Sequence, residues 1–210
     1  MQLIHHLVKR IQTLTDGCGY EDNKVVLSIS ADQNDRCPYE TGTIMTVIFG
    51  GRNTYFSSTH PMDVTTRPEY MYSAPLTKPA QRASAVAIIS GVAGFLCFSR
   101  IYGACETSCH HQCMERIRRE IGTKKVYCIG EMKLIREQIF NQIVSDPREA
   151  ELILLTADGL NEDTQYDPES STSMICIGPS AGGIASLLGR EHFCPYGRTT
   201  KTEQIVTQNE

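Results

Sequence analysis

Basic charge is scarce in this chain of 210 residues, where 20 Lys and Arg face 24 Asp and Glu for a formal charge of −4. Nucleic-acid binding needs a basic stripe that releases phosphate counterions. The only concentrated basic run is Arg116, Arg118, Arg119, Lys124 and Lys125, which reads as the solvated face of one helix. Nucleic acid is therefore not an expected partner. Long apolar runs are also missing. The best is Ala83 to Ser99, uncharged between Arg82 and Arg100 but interrupted by Ser84, Ser90, Gly91 and Gly94. Spanning a bilayer takes about 20 mostly apolar residues, so this stretch reads as a core helix packed through small residues and no membrane partner is expected.

Other signatures are missing as well. The opening Met-Gln-Leu-Ile-His-His-Leu-Val-Lys-Arg has no positive region followed by a long apolar core, so no signal peptide is expected and the expected location is cytoplasmic. In that setting nine cysteines, an odd number, read as thiols or metal ligands rather than a disulfide framework. The chain has no His-Glu-x-x-His and no Ser-x-x-Lys, and it lacks both the P-loop and the Gly-x-Gly-x-x-Gly fingerprint; Gly178-Pro179-Ser180-Ala181-Gly182 has the Gly-x-Ser-x-Gly spacing but, with proline before the serine, is not read as a nucleophile elbow. Covalent catalysis and a specified nucleotide are thus unsupported, and whether the protein is an enzyme stays open.

What is present describes a folded α/β protein. Apolar residues make up 40% and charged residues 21%, far from the regime of disordered chains. Leu3, Ile4, Leu7, Val8, Ile11 and Leu14 carry the three-and-four spacing of an amphipathic helix ended by Asp16-Gly17. Lys24 to Ser30, Gly42 to Phe49 and Asn53 to Ser57 are β-branched runs bounded by turn residues, and they predict a small antiparallel sheet. From Thr59 to Pro79 four prolines predict a long irregular segment. Helices are expected over Ala80–Arg100 and Ser108–Ile121, the first opened by Pro79 and the second closed by Gly122.

Beyond Gly122 the rhythm changes to short apolar strands alternating with helices. Strands are expected at Lys125–Ile129, Leu152–Thr156 and Met174–Ile177, with helices at Met132–Val144 and Gly182–Leu188. That alternation is the signature of a parallel sheet covered on both faces. The expected fold class is α/β, with a small antiparallel α+β N-terminal module followed by a Rossmann-like parallel layer. The corresponding segments are 1–78 for the N-terminal module, 79–122 for a helical pair, 123–197 for the Rossmann-like module and 198–210 for a polar tail.

Parallel sheets gather ligands at the carboxyl ends of their strands, where helix N-termini offer free N–H groups. Three such loops are expected to share a cleft for a small anionic molecule: Gly130-Glu131, Thr156 to Asp158, and the glycine-rich turn Gly178, Ser180, Gly182 and Gly183. The plain alternative for that turn is a strand-to-helix connection that needs glycine only for its backbone.

The densest constellation is Cys105-Glu-Thr-Ser-Cys109-His110-His111-Gln-Cys113. Thiols at steps of four share one helical face, and two imidazoles lie beside them, so ligands for zinc, Cu(I) or an iron–sulfur cluster are all present. The spacing departs from paired Cys-x-x-Cys motifs, which leaves core thiols and a redox pair as alternatives. Cys97, Cys128 and Cys176 are expected to be packing residues, and Cys194 near His192 is a weak further candidate.

Lys78-Pro79-Ala80-Gln81-Arg82-Ala83, Val126-Tyr127-Cys128-Ile129-Gly130, Ala150 to Thr156 and Ile177-Gly178-Pro179-Ser180 form a set of suggestive strings. Together they resemble the heavy-metal-chelation family, in which an enolase-N-terminal-like module precedes a Rossmann-like one. The resemblance implies a two-module fold with a ligand or metal between the modules, and no established reaction. The Cys-rich run at 105–113 is not part of that pattern. The reading with most support is a metal- or metallocofactor-binding protein using Cys105, Cys109 and Cys113 with His110 or His111. The alternatives are a group-transfer enzyme holding a nucleotide-like ligand at Gly178–Gly183, and an interaction protein, as a homo-oligomer or with another partner, assembling through Tyr55, Phe56, Tyr70, Met71 and Tyr72.

Overall fold

A computed structural model describes residues 2–34, 36–162, 166–167 and 170–199. Helix α1 (Leu3–Thr15) buries Leu3, Ile4, Leu7, Val8 and Ile11, the face its periodicity marks. Strands β1 (Val25–Ile29), β2 (Thr43–Phe49) and β3 (Arg52–Ser58) follow. They form an antiparallel sheet in the order β3-β2-β1-β4. Its last strand, β4 (Val64–Thr66), lies in the stretch expected to be irregular, as does the short helix α2 (Glu69–Ser73). Elements of three to five residues give too few periods to be read among four prolines.

Helix α3 (Pro79–Phe95) stops five residues earlier than expected. Cys97 turns to φ 61°, while the N–H groups of Cys97 and Phe98 return to the carbonyls of Gly94 and Ala93 at 3.1 and 2.9 Å. This is a Schellman closure with cysteine where glycine is usual, and it leaves Cys97 exposed rather than packed. Strand β5 (Ile101–Gly103) leads through a 3-10 turn at Thr107–Cys109 into α4 (His110–Ile121).

The parallel sheet has the order β6-β7-β8-β9, from β6 (Val126–Ile129), β7 (Leu152–Leu155), β8 (Ser173–Ile177) and β9 (Glu191–Phe193). Between them lie α5 (Lys133–Gln138) and α6 (Gly182–Leu188). A two-residue strand, β10 (Arg198–Thr199), pairs with β5; the rest of the expected tail, 200–210, lies outside the described residues. Helix α5 is half the length expected from 132–144. The chain beyond it is captured by the edge of β6, where Ile143 bridges Val126 and the Val144 N–H bonds the Val126 carbonyl at 3.0 Å.

Both faces of the parallel sheet are buried, and the strand alternation divides them between two cores. Ile129, Ile153, Leu155, Met174 and Cys176 pack with α1, α3 and α6 and with the inner face of the antiparallel sheet. Val126, Cys128, Leu152, Leu154, Ile175 and Ile177 pack with α4, α5 and the loop carrying Cys37 and Tyr39. The fold is thus mixed α/β, an antiparallel sheet joined to a Rossmann-like layer, with α3 packed against both. No helix among the described residues is long and apolar enough to cross a membrane. The aromatic patch considered for assembly belongs mostly to the interior. Tyr55, Phe56 and Met71 are buried, and Tyr70 and Tyr72 pack against the core.

Candidate functional site

The carboxyl edge of the parallel sheet is where a ligand cleft was expected, and the N-terminal module fills it. Asp158 follows β7, and its carboxylate accepts hydrogen bonds from Ser58 Oγ (3.1 Å), Thr59 N–H (3.0 Å), Thr59 Oγ1 (3.0 Å) and the Asn161 side-chain amide. Its acceptors are therefore spent on the end of β3. Thr156, at the same strand end, is buried against Gly130.

The glycine-rich turn after β8 is closed in the same way. Glu40, from the β1–β2 connection, accepts the Ser180 N–H at 3.0 Å and the Ser180 hydroxyl at 3.2 Å. Ser180 Oγ in turn accepts the Ser57 N–H at 3.2 Å. The glycines are required by close packing. Gly178 has φ 92°, and a Cβ there would stand 2.4 Å from Glu40 Oε1; one on Gly183 would meet the Ala93 Cβ at 2.4 Å. The donors expected to hold a small anionic molecule thus hold the chain's own carboxyl, and Gly178 to Ala185 is buried throughout. Of the three strand-end loops, only Glu131 faces solvent, in an open hollow with Lys133, Arg136 and Phe140.

Burial raises the Glu40 pKa to about 8, with the nearby Asp158 charge adding to the rise and the Ser180 bonds opposing it. The Tyr55 hydroxyl approaches this carboxyl without a hydrogen bond of regular geometry.

Several cysteines lie near Glu40. Helix α4 runs into β6 through a short turn, so its N-terminus lies at the carboxyl edge of the sheet. Cys105 and Cys113 are buried there and Cys109 is half-buried. Two cysteines from remote segments join them. Cys37 is three residues before Glu40, and Cys194 directly follows β9. Tyr39 donates its hydroxyl to Cys113 Sγ at 3.0 Å, and its ring meets Phe193 edge to face at 6.4 Å. Cys194 Sγ packs so closely on Gly197 that a Cβ there would lie 2.7 Å away.

Burial is the largest cause of the raised pKa of Cys37, Cys105, Cys113 and Cys194, the last pushed up to about 12. Mutual charge adds to it. Cys194 and Cys105 act on Cys37, Cys105 and Cys113 act on Cys194, and Cys109 acts on both Cys105 and Cys113. These thiols are near neighbours that favour the protonated state unless a cation compensates them.

Sequence spacing found Cys105, Cys109 and Cys113. It did not single out Cys37, which reaches this neighbourhood from a remote segment, and gave Cys194 only a minor place. Of the two histidines, His110 is partly buried with its Nε2 unpartnered and its pKa lowered by desolvation, whereas His111 is exposed. As the side chains stand, no group of three or more His, Cys, Asp or Glu among the described residues is arranged to hold a metal ion. Ligation would therefore require thiol side chains to rotate toward one another. Comparison with family models, curated proteins and solved structures finds no match to this chain.

Proposed function

We propose that this protein binds a thiophilic metal ion or a metal-containing group through the cysteines of the 105–113 segment. The observation that carries the reading is the convergence of Cys105 and Cys113 with Cys37 and Cys194 in one buried neighbourhood beside Glu40. Thiolates are costly there without a cation and become favourable with one, because the metal replaces the proton as the charge partner. The resemblance to the heavy-metal-chelation family implies a ligand or metal between the modules, but the Cys-rich run at 105–113 is not part of that family's pattern. The nucleotide-like alternative has less support, since its anchoring N–H at Ser180 is engaged by Glu40.

A melting experiment tests the reading. A ligand that binds only the folded state adds about 2.7 kcal/mol at 100 times its dissociation constant. Reduced, metal-stripped protein is melted with Zn2+, Cu+ or Fe2+, each against a Cys105→Ala/Cys113→Ala double variant. A rise in Tm with at least one metal, absent from the variant, is the expected result. The same Tm with every metal overturns the proposal.

A further inference from the structure

We infer that the hollow enclosed by the end of α3, the start of β3 and β5 binds a small molecule carrying a phosphate or carboxylate group on a flat ring. The hollow measures about 320 Å3, and Arg52, Thr54, Gly94, Arg100 and Tyr102 are among the residues that line it. It shares no side chain with the cysteine segment, so the inference stands apart from metal binding.

The donors of this lining are unspent. Arg52 gives one hydrogen bond, from Nη1 to the Gly94 carbonyl at 3.0 Å, which fixes its guanidinium against the end of α3 and leaves most of its N–H groups available. Among the described residues neither Arg52 nor Arg100 stands within ion-pair distance of a carboxylate. Arg52 also serves the negative end of the α3 dipole, so Arg100 is the charge left for a ligand. Thr54 is 7% exposed, yet its hydroxyl has no hydrogen-bond partner among the described residues. Its Oγ1 faces Gly94, where an added Cβ would lie 2.7 Å away. A buried hydroxyl without a partner is costly, and an anionic oxygen in the hollow satisfies it. Guanidinium groups match phosphate and carboxylate oxygens in pairs. Ile101 and the half-exposed Tyr102 supply the apolar part of the lining, which suits a flat ring. A second hollow shares Asn53, Thr54 and Tyr102 with the first and adds Arg198 and one acid, Asp32. The two linings together thus set three arginines against a single carboxylate.

Phenyl phosphate, benzoate and inorganic phosphate serve as probes, titrated into the full-length protein at low salt while backbone amide shifts are followed by NMR. The expected result is saturable binding of phenyl phosphate or benzoate that moves the amides of Thr54, Arg100 and Tyr102, at least about tenfold tighter than inorganic phosphate. Whichever of the two ring compounds binds more tightly identifies the oxyanion. Arg100→Gln should weaken that binding at least about tenfold and Tyr102→Ala at least about threefold, each with the melting temperature of the parent, because both side chains reach solvent. Raising the salt on the unaltered protein from about 20 to about 300 mM should weaken it at least about threefold, a readout that needs no variant. The inference is overturned if neither ring compound binds at millimolar concentration, if inorganic phosphate binds equally well, if binding ignores salt, or if Arg100→Gln binds like the parent. Each of these failures leaves the metal-binding reading untouched.

Discussion

Glu40 and Ser180, 140 residues apart in the chain, are joined by two hydrogen bonds, from the Ser180 N–H at 3.0 Å and the Ser180 hydroxyl at 3.2 Å to the two carboxyl oxygens. The turn that would otherwise offer an anion site is thereby closed by an acid from the other module. Burial makes that acid weak, with a pKa of about 8.

A carboxyl whose folded pKa lies above its unfolded value binds its proton more tightly when folded. Its contribution to stability is complete below about pH 4.5 and is lost as pH rises through about 8. This slope is opposite to that of a salt-bridged carboxylate. Glu40→Gln keeps an acceptor for the Ser180 N–H and removes the titration. The variant should match the parent at pH 5 and exceed it by roughly 1–3 kcal/mol at pH 8.5 in urea melts. A stability difference that does not change with pH contradicts this assignment.

Gly178→Ala places a methyl group 2.4 Å from Glu40 Oε1 at a φ of 92°. It should cost about 2–4 kcal/mol, combining the left-handed backbone penalty with overpacking. Gly189→Ala serves as the control. It shares a positive φ of 61°, but nothing lies within 4 Å, so only the backbone part of the cost remains. Equal losses for the two would show that the contact with Glu40 does not matter.

Asp158→Ala removes the acceptor shared by Ser58, Thr59 and Asn161 and leaves buried donors without partners. A loss of roughly 2–4 kcal/mol is expected. Hydrogen exchange should also rise at Ser57 to Thr59 before it rises in β7. Exchange rates unchanged at those amides would remove Asp158 as the joint between the modules.

Cys97 ends α3 at φ 61° and is exposed. Cys97→Gly should raise stability by about 0.5–1 kcal/mol, because glycine takes that conformation without the Cβ clash. A lower melting temperature for the variant would contradict the Schellman geometry.

How much of this was legible follows from element length and from the distance over which each contact acts. Leu3 to Leu14 repeats over three turns, and Leu152 to Leu155 is apolar throughout, so both elements could be read locally. The strands at Val64, Ile101 and Glu191 span three residues each and show no period. Helix α5 was overread because Ile139, Ile143 and Val144 continue a helical spacing, while the edge of β6 offers their backbone other partners. At the candidate site, the glycines of the 178–183 turn announced close approach correctly but not what approaches. That is Glu40, whose surroundings carry no local signal. Cys37 stands in Asp-Arg-Cys-Pro-Tyr-Glu, a string that gives no hint of Cys113, yet Tyr39 in the same string bonds to it.

The most direct test of the metal-binding account is elemental analysis of the full-length protein purified under reducing conditions without added metal, coupled to a count of thiols that react before and after chelation. The account predicts about one thiophilic metal per chain, with the exposed Cys18 and Cys97 reacting at once and Cys105 and Cys113 reacting only once the metal is withdrawn. Protein free of metal, in which Cys105 and Cys113 react equally fast with and without chelator, would contradict it.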